Sequence, residues 1–191
     1  MQASRFLRAR AGFTLTELMI TAATVGILAA IAVPSLNLGR VRANAAMRGV
    51  GSSVMAAQRQ AIIRQHDVIV RINTARNVMT VHLDADDDAT VDTNERIRAF
   101  PLGEGIVFGR GAAPQWADAS STVNLTRTVD GLPSITFHRN GSASENGGFY
   151  VVSPRRSYGE KGDSARYLDI SRATGRVSWH HYSGTQWKRG F

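Results

Sequence analysis

"RARAGFTLTELMITAATVGILAAIAVP", residues 8–34, runs from a basic cluster into an apolar segment that carries one acid, Glu17, close to its start. From Phe13 to Val33 there are 21 residues, and Glu17 is the only charged one. As a helix rising ~1.5 Å per residue, that length spans ~30 Å of hydrocarbon. Arg5, Arg8 and Arg10 precede the segment and none lies within it, so the positive-inside rule places the N-terminus in the cytoplasm and the rest across the membrane. Ala30-Ile31-Ala32 also supplies an A-x-A-like cleavage site, which keeps an ordinary secretory signal peptide in competition. Glu17 argues against it. A carboxylate near the end of a membrane helix is unfavourable unless it finds a partner, and a disposable leader has no use for one.

Gly12-Phe13-Thr14-Leu15-Thr16-Glu17, followed by the apolar run and Pro34, closely resembles the class III leader of type IV pilins and type II secretion pseudopilins. The resemblance implies that a membrane prepilin peptidase cuts between Gly12 and Phe13 on the cytoplasmic side and methylates the new amino terminus. Residues 1–12 are then a leader, Phe13 becomes N-methylphenylalanine, and 13–34 stays as a transmembrane helix segment in the bacterial inner membrane. It also implies an assembly role for Glu17, because the matching Glu of the family neutralises the amino terminus of a neighbouring subunit. Opposite charges at low dielectric offset their desolvation only in good geometry, so a misregistered subunit would leave both unpaired.

After Pro34, Ala43, Met47, Val50, Val54, Ala57 and Ala61 recur at spacings of three and four, the pattern of one helix face. Arg42, Arg48, Arg59 and Arg64 fall largely outside that stripe. The pattern predicts an amphipathic continuation of the helix over 35–65, kinked near Pro34 and loosened around Gly49 and Gly51. From residue 66 to 191 the pattern becomes short β-rich runs such as "DVIVRI", "NVMTVHL", "TVNLTRT", "GFYVVS" and "GRVSWHHY", punctuated by Gly, Asn, Asp and Pro. Eight or nine strands make an antiparallel sheet or sandwich the expected periplasmic domain, and the whole chain an α+β protein with a long N-terminal helix packed on it. Residues 135–153 and 167–179, a strand, Gly turn, strand and Gly-Arg hairpin, are most similar to the pseudopilin H (GspH) and FimT group. The resemblance implies a minor subunit of a type II secretion pseudopilus or a type IV pilus, whose partners are other pilin or pseudopilin subunits.

Charge is unevenly placed. The formal net charge is +8, residues 13–154 hold 12 basic and 12 acidic side chains, and residues 155–191 hold 8 basic and 3 acidic. That C-terminal stretch interleaves its cations with Tyr158, Tyr167, Trp179, Tyr182 and Trp187, a composition suited to phosphates and stacked bases. In the FimT subgroup DNA capture is attributed to a Gly-Arg-x-Arg motif. The matching positions here are Gly175-Arg176-Val177-Ser178, which lack the second Arg, with Arg172, Lys188 and Arg189 as substitutes. The alternative is a hairpin whose aromatic residues pack the core and whose charges are solvated.

"DADDDATVDTNE" places Asp84, Asp86, Asp88, Thr90, Asp92 and Glu95 at the offsets of a Ca²⁺-binding EF-hand loop. Ala89 stands where that loop needs Gly, and strands flank it, so an acidic hairpin loop is the competing reading. No other cofactor is implied. His180 and His181 project to opposite faces of a strand and read as surface residues. Residues 109–120 read as a small-residue loop anchored by Trp116. The chain has no cysteine and no G-x-S-x-G, Walker-type or H-E-x-x-H motif, so no catalytic constellation is expected.

Overall fold

The computed structural model describes residues 12–35, 38–92, 95–154 and 164–190, without the side chains of 31–35 and 38. The leader arginines and Tyr158 lie outside the described residues. The chain divides into two compact units, residues 1–37 and 38–191.

In the first unit, helix α1 covers Leu15–Ser35. Thr14 caps it: its Oγ1 accepts the N–H of Glu17 at 3.2 Å. Thr14-x-x-Glu17 is the capping-box spacing, and an acid in the first turn is favoured by the helix dipole. Glu17 therefore has a local role besides any intersubunit one. Phe13, Leu15, Leu18, Met19, Ile20, Val25, Ile27 and Leu28 are all at least 62% exposed, a continuous uncovered apolar surface. Among the described residues no helix is long and apolar enough to cross a membrane. The span expected over 13–34 includes residues whose side chains lie outside that description.

The second unit opens with α2 (Leu38–Arg64). Among the described residues eleven strands follow: β1 (Val68–Asn73), β2 (Val78–Leu83), β3 (Arg96–Pro101), β4 (Val107–Phe108), β5 (Val123–Asn124), β6 (Thr128–Val129), β7 (Leu132–Phe137), β8 (Gly147–Val152), β9 (Arg166–Ile170), β10 (Val177–Tyr182) and β11 (Trp187–Arg189). They form two antiparallel sheets. The first runs β3-β2-β1-β7-β6; the second runs β11-β10-β9-β8-β4, with β5 also paired to β8.

α2 packs on both sheets. All six stripe residues, Ala43 to Ala61, are no more than 2% exposed, and they join Val70, Ile72, Met79, Ile135, Phe137, Phe149, Val151, Leu168 and Ile170 in one core. Arg42, Arg48, Arg59 and Arg64 are exposed. The helix is not interrupted at Gly49 or Gly51. Gly51 instead permits close approach, because a Cβ there would sit 3.2 Å from the Trp179 ring. A buried guanidinium pins the same helix to the second sheet: Arg166, 1% exposed, donates from Nε to Asn44 Oδ1 at 2.6 Å and from Nη1 to the Ala165 carbonyl at 2.8 Å.

Two elements differ from the sequence expectation. The run "TVNLTRT" is two short strands on different sheets, β5 and β6, because Glu145 takes the backbone N–H groups of Thr126 and Arg127 and turns the chain there. The tail "WKR" is a strand, β11, which extends the β9–β10 hairpin.

Candidate functional site

The N-terminal residues Gly12, Phe13 and Glu17 stand together at the start of α1. Phe13 is 80% exposed, and Gly12 has no neighbouring atom within 4 Å of a Cβ position. Among the described residues no ion pair includes Glu17.

The loop 84–95 joins β2 to β3. Asp84, Asp86 and Asp88 bring ligand oxygens within 4.8 Å of one another. Asp84 is 1% exposed and accepts the N–H groups of Asp88 (3.2 Å) and Ala89 (2.9 Å). Burial pushes its carboxyl up, and those backbone donors act against the rise. Ala89 adopts φ +62°, so the turn expected to require Gly is made by Ala in the left-handed region. Glu95 is taken up by backbone groups: Oε1 accepts the Ala85 N–H at 2.9 Å and Oε2 that of Asp92 at 3.3 Å. Thr90 donates to the Asp88 carboxylate rather than offering its oxygen inward. Three of the six expected ligands thus converge, and Thr90, Asp92 and Glu95 serve the loop itself.

The four C-terminal cations are separated. Arg176 and Arg189 line one groove with Trp116, Asp169, Ser178 and His180. Arg172 lines a different hollow, with Arg127 and His138. Lys188 pairs across from His181 and Arg189 from His180, so the two tail cations point to opposite faces of β11. The aromatic residues are mostly structural. Tyr167 and Tyr182 are buried, Trp187 packs at 5.6 Å from Tyr182 and 5.9 Å from Tyr150, and Trp179 lies against α2.

His180 is a correction to the expected surface histidine. It is 6% exposed and stacks on Trp116 with ring centroids 3.9 Å apart. Burial pushes its pKa down, and the Asp169 carboxylate opposes that. The cover is the loop 109–120, as expected anchored by Trp116: its N–H donates to the Tyr150 hydroxyl at 2.7 Å, which donates to the Ala119 carbonyl at 2.7 Å.

A polar cluster without a sequence signature lies on the first sheet. His82, fully buried, accepts at Nε2 from Arg71 Nε at 3.0 Å and lies 3.1 Å from the Thr80 hydroxyl, while Arg71 also pairs with Asp130. Burial first, and the Arg71 charge second, lower the His82 pKa from 6.5 to about 4, against Asp130. Its Nδ1 is buried with no hydrogen-bond partner.

No protein-family model matches the chain, and no curated protein matches it. Among solved structures the chain is similar to the type IV minor pilin FimU of Pseudomonas aeruginosa, at 11% identity over 75% of this chain and 90% of that one, TM-score 0.46. It is also similar to the minor pseudopilin EpsH of the Vibrio cholerae type II secretion system, at 12% identity over 76% of this chain and 99% of that one, TM-score 0.46. A second EpsH structure aligns at 15% identity over 72% and 92%, TM-score 0.43.

Proposed function

We propose that the chain is a minor pilin or pseudopilin, made as a prepilin and cleaved between Gly12 and Phe13. It is methylated at Phe13, held in the inner membrane by its apolar helix, and assembled with other pilin-type subunits into a short filament. One observation carries the reading: Gly12-Phe13 and the first-turn acid Glu17 open a helix whose large apolar side chains, from Leu15 to Leu28, are all uncovered. Such a surface is stable only in lipid or against other apolar helices. The β domain supplies an outward-facing body whose core is closed by α2. In this role Glu17 compensates the new ammonium group of a neighbouring subunit. In cells that carry the prepilin peptidase, Glu17→Ala should be cleaved normally yet be depleted from sheared filaments. Normal filament content would refute the assembly role.

A second reading, a DNA-binding minor pilin, is favoured by one feature: Arg176 and Arg189 flank a groove walled by Trp116. It predicts salt-dependent binding of duplex DNA by the full chain, with a shallower salt slope when Arg176 and Arg189 become Ala. No binding at low salt would remove it. Arg172 and Lys188 lie apart from that groove, so their replacement should change affinity less.

A further inference from the structure

We propose that the hollow between Arg127 and Arg172 is a binding site for a phosphoryl or sulfuryl dianion, independent of the assembly reading. The hollow holds about 410 Å³ and is lined by Arg127, His138, Ser142, Ser144, Asn146 and Arg172, together with two alanines, and by no carboxylate.

Three connections meet there, and each is fixed by a specific bond. Glu145 holds the first: its carboxylate accepts the backbone N–H groups of Thr126 at 3.1 Å and Arg127 at 3.0 Å, and the Thr126 hydroxyl at 2.6 Å. The next residue holds the second: Asn146 Oδ1 accepts the Arg172 N–H at 2.7 Å. Two consecutive residues thus set where both arginines leave the backbone. From beneath, Gln58 of α2 donates Nε2 to the Gly141 carbonyl at 2.7 Å and the Thr174 carbonyl at 2.8 Å, tying the turns at 138–143 and 171–176 together. Gly175 makes that clamp possible, since φ is +59° and a Cβ would stand 2.4 Å from Gln58 Nε2.

The two guanidinium groups have no hydrogen-bond or ion-pair partner among the described residues. The neighbouring acids are already engaged. Glu145 accepts the three donors above; partial burial pushes its pKa up, but these hydrogen bonds and the Arg127 charge hold it below its ordinary value. Asp67 accepts from His138 Nδ1 at 2.7 Å and from the Arg139 N–H at 3.3 Å. Two arginines lining one hollow match an anion that carries two charges and more than two acceptor oxygens, which phosphate and sulfate do and a single carboxylate does not.

The test uses the purified full chain in detergent, titrated with inorganic phosphate against sodium chloride at matched ionic strength, with melting temperature as the readout. Phosphate and sulfate should raise it saturably, and chloride should not. Arg127→Ala and Arg172→Ala, both at exposed positions, should each weaken half-saturation about tenfold, the value of a charge-assisted hydrogen-bonding partner. Arg59→Ala, an exposed cation on α2, should leave it unchanged. Glucose 6-phosphate distinguishes the source: tighter binding than inorganic phosphate indicates a phosphorylated saccharide, and equal binding the free ion. A chloride response equal to that of phosphate, or an undiminished phosphate response in the Arg127→Ala, Arg172→Ala double variant, would overturn the site. So would sensitivity of duplex DNA binding to Arg127→Ala without any phosphate response, which would assign the hollow to a nucleic-acid backbone.

Discussion

Acidification should destabilise the β domain through His82 in particular. When unfolded, this imidazole takes its proton near pH 6.5; in the fold it does so only near pH 4. The reason is geometric as well as dielectric. Nε2 accepts the Arg71 Nε–H at 3.0 Å, so a protonated ring would set two donors and two positive charges against each other in a buried place. A depressed folded pKa means that the unfolded chain binds the extra proton. The site's contribution is therefore complete above pH 6.5 and lost as pH falls towards 4. At about 1.4 kcal/mol per pKa unit, the loss reaches about 3 kcal/mol. Urea unfolding at neutral pH and near pH 4 measures it, and His82→Gln supplies the reference. Buried Asp84 and half-buried Asp169, whose carboxyls are pushed up by desolvation, act in the opposite direction and are common to both proteins. The difference between wild type and variant therefore isolates His82. Equal pH-dependent losses in the two would refute the reasoning.

Asn44→Ala removes the acceptor of a buried guanidinium and should cost about 1.5–3 kcal/mol by chemical denaturation; a change below about 0.5 kcal/mol would mean that Arg166 is held by its other partners. Met47→Ala in the fully buried stripe should cost about 2–5 kcal/mol, whereas exposed Arg59→Ala should stay within about 0.5 kcal/mol. Calcium should raise the melting temperature only in the millimolar range, because only three carboxylates converge and Glu95 is held by the Ala85 and Asp92 N–H groups. Asp86→Asn should abolish that rise, and a flat titration would leave loop 84–95 a purely structural hairpin.

Periodicity made the buried face of α2 legible, though not the uninterrupted course of the helix through Gly49 and Gly51. Its six apolar positions alternate by three and four, and only one face of a helix can hold them, so their burial followed from spacing alone. Strand positions were legible where β-branched and aromatic residues ran for five or more positions between turn residues. They were not at "TVNLTRT", where a carboxylate distant in sequence, Glu145, breaks one apparent strand into two. Alternation told that His180 and His181 face apart. It could not tell that loop 109–120 lies over one of those faces and buries His180 beneath Trp116. The charge count drew attention to the C-terminal cations, but strand geometry separates them, and the arginine that accompanies Arg172 comes from an unremarkable loop forty-odd positions earlier. The Thr14 cap emerged only from the structure, and it gives Glu17 a second reason to be there.

The central claim is that Phe13 becomes the amino terminus and the apolar helix is kept. Intact-mass and N-terminal analysis of the protein made in cells with an active prepilin peptidase tests it most directly. The expected product begins at Phe13 with one added methyl group, and Gly12→Ala should instead yield an uncleaved chain still carrying Arg5, Arg8 and Arg10. A mature protein that begins after Ala32, or a wild-type chain that retains residues 1–12 in the presence of the active peptidase, would contradict it.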